Sequence, residues 1–173
     1  MLDNQTTMTD LVNRHLISDL KLIDTLTTQF ELVHTDNDNW TKTYLDQAKK
    51  EKWLSYYADG ALQGGGYNIL GRLPLPTTDK LIDLALHSYS DDEVFAACRT
   101  LTDNEEIRKQ DFRLALIERL EKLNNNIRQK KVIELTGLSS ALNRQDILGK
   151  TAEQINTSAN YYKQIADRAD KLK

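Results

Sequence analysis

Residues 60–76 read GALQGGGYNILGRLPLP, and the fold class turns on how this stretch is read. It holds five of the chain's seven glycines and both of its prolines. Neither residue type occurs from Met1 to Asp59 or from Thr77 to Thr136. Gly and Pro are the strongest breakers of regular structure. The long stretches on either side, with apolar residues at helical spacing, therefore predict helix. Inside the segment, Gly64–Gly66 and Pro74–Pro76 bracket YNILGRL, a piece that fits a short helix or an extended strand. Three successive glycines lose much conformational entropy on ordering, so this loop is expected either to stay mobile or to pack where a side chain does not fit. The expected fold is all-α. Residues 1–173 form a single helical domain with an irregular Gly/Pro segment at 60–76, and about seven helices pack as antiparallel hairpins.

Working outward, Val12, Leu16, Leu20, Ile23, Leu26, Phe30 and Val33 follow one another at gaps of three and four, which predicts a helix over about Thr9 to Val33. Thr35–Asn39 reads as a polar turn. Asp38 or Asn39 is placed to cap a second helix that carries Trp40, Tyr44, Ala48, Trp53, Tyr56 and Tyr57 and ends near Asp59-Gly60. Downstream, Leu81, Ile82, Leu84, Ala85 and Leu86 predict a short central helix. Ser90-Asp91-Asp92-Glu93 matches a capping box for the next one, with Val94, Ala97, Cys98 and Leu101 as its buried face. Phe112, Leu116, Leu120, Leu123 and Ile127 mark a further stripe, which Asn124–Asn126 either interrupt or leave as one long helix. Thr151 with Gln154 opens the last helix.

Composition excludes several classes. With 39% hydrophobic and 28% charged residues the chain is too apolar to be disordered. One cysteine rules out an internal disulfide and suits a reducing compartment. The start, MLDNQTTMTD, lacks the basic and apolar stretches of a signal peptide. The longest run free of Asp, Glu, Lys and Arg, Gly60–Gly71, falls short of the ~20 residues that span a bilayer. A cytoplasmic protein is expected. The net charge of −3 is uneven: residues 1–104 hold 9 Lys/Arg against 16 Asp/Glu, and residues 105–173 hold 14 against 10. An acidic surface of this kind attracts a basic partner.

The stretch LIDLALHSYSDDEVFAACRTL, residues 81–101, resembles one junction of a HEAT-like helical repeat. Asp91, Asp92 and Glu93 stand in the acidic turn, and Val94, Ala97 and Leu101 stand at core positions. Phe95 occupies a place where that family commonly has Arg, and no second copy recurs at a fixed period. The resemblance implies helical hairpins that bind proteins or nucleic acids and carry out no chemistry. KKVIELTGLSSALNRQDIL, residues 130–148, is similar to a helix-turn-helix, with Gly137 at the turn. Ile133 and Asn143 depart from that motif. The surplus of three basic residues over 105–150 is too small for a strong phosphate-binding surface.

Candidate chemistry is sparse. His34, Asp36 and Asp38 form an H-x-D-x-D string, which polar turn chemistry explains better than metal ligation, since no further His, Cys or Glu sits nearby at ligand spacing. His15 and His87 lie alone on apolar helices. Cys98 shares a face with Val94 and Leu101 and reads as a buried thiol. Gly64–Gly66 lack the Lys-Ser/Thr of a phosphate loop. No catalytic residue, metal or cofactor is assigned. Trp53, Tyr56 and Tyr57 fall near one helix face, the segment that follows brings Tyr67 and Arg72, and the aromatic group is either core or a hot-spot patch. Asp79, Asp83, Asp91 and Asp92 are placed to meet a basic partner. Helicity, size and charge together resemble small bacterial immunity and antitoxin-type proteins, which implies a non-catalytic protein that covers a basic face of its partner. The alternative is a nucleic-acid-binding regulator using residues 130–148.

Overall fold

Asp36 and Asp46 each turn the chain back on itself. Asp36 Oδ1 accepts from the backbone N–H groups of Asp38 (3.0 Å) and Asn39 (3.1 Å). Asp46 Oδ1 accepts from those of Ala48 (2.9 Å) and Lys49 (3.2 Å). Each turn closes on a residue in the left-handed region, Trp40 at φ 55° and Lys50 at φ 58°. An Asp that caps its own turn, followed by a positive φ, is hairpin chemistry. The two turns join β2 (Glu31–Asp36), β3 (Thr41–Asp46) and β4 (Glu51–Ala58). After Asp59 (φ 55°), the chain returns as β5 (Tyr67–Arg72), and the short β1 (Leu16–Ile17) pairs with β5. The sheet order is β1-β5-β4-β3-β2, with every neighbour antiparallel.

The computed structural model describes residues 13–60, 65–143 and 148–173. Its contacts divide the chain into two units. Met1–Thr77 with Ser90–Ala96 form a sheet unit, and Thr78–Tyr89 with Ala97–Lys173 form a helical unit.

In the sheet unit, α1 (Leu20–Gln29) starts where Asp19 accepts from Leu22 N (3.0 Å). Its Ile23 and Leu26 are buried with Ile17, Trp53 and Leu70, and Leu22, Phe30 and Tyr44 pack around them. On the opposite sheet face, Gly71 leaves no room for a side chain: a Cβ there would lie 2.6 Å from Leu75 Cδ2. Gly66, at φ +75°, would meet Ala58 O at 2.4 Å. Both are therefore glycines by necessity. The first turn of α3 (Asp91–Arg108) belongs to this unit as well. Glu93 Oε1 accepts from His15 N (2.6 Å) and Leu16 N (3.2 Å), and Asp92 accepts from Ser18 N (3.0 Å) and pairs with Arg14 (3.3 Å).

The helical unit holds α2 (Thr78–His87), the rest of α3, α4 (Arg113–Leu120), α5 (Asn126–Thr136) and α6 (Ala152–Asp170). Asn125 caps α5 by accepting from Arg128 N (3.0 Å), so the asparagine run separates two helices. Gly137, at φ 62°, closes α5. Thr151 and Gln154 form the expected reciprocal cap of α6. At the centre, Arg113 and Glu105 are fully buried and joined by two bonds, 2.7 and 3.0 Å. Arg113 also donates to Ser140 O (3.0 Å) and lies over the Tyr162 ring at 4.9 Å.

The all-α expectation is wrong: the described residues form six helices and a five-stranded antiparallel sheet, which makes this an α/β protein. The expected helix over residues 40–59 is β3, a turn and β4. Cross-strand packing overrides the helix-forming run AKKEK, and the Asp46 turn breaks it. The expected helix over residues 9–33 is helical only from Leu20 to Gln29; Leu16 is in β1 and Val33 in β2, and residues 9–12 lie outside the described part. The HEAT-like resemblance fails with it. Residues 81–101 do contain two helices joined by a short turn, with Val94, Ala97 and Leu101 buried, but a sheet takes the place of further hairpins. The likeness to immunity and antitoxin proteins loses the helicity on which it partly rested. YNILGR, one half of an open choice, is the strand β5.

Candidate functional site

Side chains alternate across a strand, so a group that shares one helix face is split when the segment is extended. Trp53 pairs with Arg72 and Tyr57 with Asn68, which puts Trp53, Tyr57 and Arg72 on the sheet face that α1 covers. Tyr56 pairs with Ile69 and Ala58 with Tyr67, which puts Tyr56 and Tyr67 on the other face. The expected single aromatic patch is therefore two. Trp53 is 3% exposed, stacked on Phe30 and overlain by the Arg72 guanidinium at 5.1 Å; it is core. Arg72 also pairs with Glu51 (3.4 Å). Tyr67 packs edge-on against Phe95, with ring centres 5.0 Å apart. Only Tyr57 combines substantial exposure, 47%, with a place on a concave surface.

The acids also part company. Asp79 and Asp83 lie in the helical unit, one turn apart on α2, and both accept from Arg119 (2.7 and 2.9 Å). Asp91 and Asp92 open α3 in the sheet unit. Asp91 is exposed, whereas Asp92 holds Ser18 and Arg14. Cys98 is buried, and that burial pushes its thiol up to about 12, which makes it a poor nucleophile at neutral pH. Asp36 is committed to its turn, and its bonds from Asn39 hold its carboxyl below the usual range. Among the described residues no three His, Cys, Asp or Glu side chains gather where a metal could bind, and no helix is long and apolar enough to cross a membrane. After Gly137, the described residues 138–143 carry no helix; Gly64 and residues 144–147, part of the helix-turn-helix reading, lie outside the described part.

A groove of about 620 Å³ opens between α1 and the sheet, within the sheet unit. Lys42 and Tyr44 of β3, Ser55 and Tyr57 of β4 and Asn68 of β5 form its floor. Leu20, Ile23, Asp24 and Thr27 of α1 form one wall, and the β2–β3 turn with Trp40 forms the other. Ser55 Oγ donates to Asn68 Oδ1 (2.9 Å), which orients the amide. Trp40, at the positive φ that ends its turn, is 78% exposed. The groove falls in the size range of ligand sites and mixes rings with a few polar groups, as such sites do. Its lining supplies rings, hydroxyls, amides, two carboxylates and one ammonium group, a set able to hold a ligand by stacking, hydrogen bonds and charge.

The sequence reading missed Trp40, Lys42, Tyr44, Ser55 and Asn68 as neighbours. The available signal was the pair DNDNW and DQAKK, two Asp-led turns at Asp36 and Asp46 that flank TKTYL. No protein-family model, no curated protein and no solved structure matches this chain.

Proposed function

We propose that the chain is a non-catalytic protein-binding protein whose sheet unit covers a basic surface of its partner. One observation carries the reading: Trp40 and Tyr57, both well exposed, stand at one groove of a unit that holds 7 Lys/Arg against 13 Asp/Glu. Exposed Trp and Tyr at a concave surface are the residues that dominate binding energy. A surplus of acid steers a basic partner toward that surface. Trp53, by contrast, lies in the core at 3% exposure.

The test is capture of a partner by the tagged full chain from native lysate, at low and at high salt. Replacing Trp40 and Tyr57 together by Ala should leave the circular dichroism spectrum unchanged. It should weaken the complex by about thirty-fold or more, the loss expected for a hot spot. The complex should also weaken as salt rises. Affinity unmoved by both changes, or turnover of a substrate by purified protein, would refute the reading.

A further inference from the structure

We infer that the groove between α1 and the sheet takes an arginine side chain of the partner, stacked against Trp40 and Tyr57 with its guanidinium facing Asp24. This rests on the protein-binding reading above and names the residue type that the partner presents. Asp24 is exposed on the wall of the groove, and its carboxylate makes no hydrogen bond or ion pair among the described residues. Asp36, at the rim, keeps its charge because its turn stabilises the ionised form. Lys42 is the single cation of the lining, so carboxylates outnumber ammonium groups two to one. Trp40, Tyr44 and Tyr57 supply three ring systems, whose faces attract a cation.

Arginine fits this chemistry better than lysine. Its flat, weakly hydrated guanidinium stacks on rings and still presents donors in its plane. Ser55 Oγ and Thr27 Oγ1 offer acceptor oxygens beside those rings. The chain stacks its own arginines in the same manner, Arg72 on Trp53 and Arg113 on Tyr162. A partner carboxylate seated on Lys42 is the competing outcome, and the two make opposite demands on Asp24 and Lys42.

The experiment is an amide and indole NMR titration of the full chain. The probes are acetylated, amidated pentapeptides in which one Arg, Lys or Glu stands between paired glycines, each taken to millimolar concentration. The Arg peptide should shift the Trp40 indole N–H and the amides of Tyr57 and Asn68 in a saturable way. The Lys peptide should bind several-fold more weakly, and the Glu peptide should leave these signals in place. Asp24→Asn should weaken Arg-peptide binding about five-fold or more, as expected for loss of a charge-assisted bond. Lys42→Ala should strengthen it. Shifts from the Glu peptide alone, no shift with any peptide, or Arg binding indifferent to Asp24→Asn would overturn the inference. If the Arg peptide fails while the Trp40-dependent partner is captured, the arginine assignment falls and the protein-binding reading stands. If the peptide binds while no Trp40-dependent partner is captured, the groove remains an arginine site and the protein-binding reading falls.

Discussion

Arg113 and Glu105 are a charged pair with no access to water, and the guanidinium is satisfied by the carboxylate, by Ser140 O and by the Tyr162 ring. Removing one member strands the other charge in a low-dielectric interior. Glu105→Gln should therefore lower stability by about 3–5 kcal/mol in urea unfolding. The double change to Glu105→Leu with Arg113→Met should recover much of that loss, because it removes both desolvation costs. No local feature marks this pair, since an Arg and a Glu eight positions apart carry no signal of burial until their helices pack. The two tryptophans show the same limit. Trp53 and Trp40 have identical chemistry, and only their places in the sheet make one core and the other exposed.

At the scale of an element, β1 is two residues long and its fixing does not come from the strand pair alone. Glu93, in the first turn of α3, accepts from the backbone of His15 and Leu16, and Asp92 does the same for Ser18. Glu93→Ala leaves buried N–H groups without their acceptor, a cost of about 1–3 kcal/mol. Hydrogen exchange at His15 and Leu16 should accelerate by about ten-fold or more, while amides of α5 keep their protection. The Ser90–Glu93 cap signal was correct in placing the helix start: Glu93 N donates to Ser90 Oγ (3.4 Å). What it omitted is that the Glu93 carboxylate bonds a segment 77 positions away in the chain. The hairpins left only a faint local trace. Asp36 and Asp46 each precede a polar turn, and aromatic and β-branched residues lie between them. The helix-forming residues Gln47–Lys52 masked this second signal.

At the scale of the whole molecule, charge follows the division into units. The sheet unit holds six more acidic than basic residues and the helical unit three more basic than acidic, counted over the full sequence. Neutral buried groups in the helical unit also set an alkaline limit. Burial pushes the Cys98 thiol from 9.0 to about 12. Burial, then the charge of Glu105, pushes Tyr162 from 10.0 to about 12. Tyr161 moves up as well, through burial and its bond to Asp111. Each group has its folded pKa above its unfolded value, so its contribution is complete below about pH 9. It is lost as pH rises through the folded values. Stability followed by denaturant midpoint should hold flat from pH 7 to 9 and fall between 9 and 12. Replacing Cys98 by Ala should remove the earliest part of that fall.

The sequence by itself determined the breakers, the helix caps at Thr151 and near Ser90, the apolar faces of Leu81–Leu86 and Val94–Leu101, and the acidic bias of the first half. These are local properties, set by a few adjacent residues and their own backbone. Tertiary structure alone decided that residues 31–58 are strands and that five candidate partner-binding residues divide between two sheet faces. It also made the groove beneath α1. A strand has no hydrogen-bonded partner within itself, so its stability lies in contacts with segments remote in the chain, and a spacing of apolar residues that fits a helix can be claimed by a sheet once those contacts form.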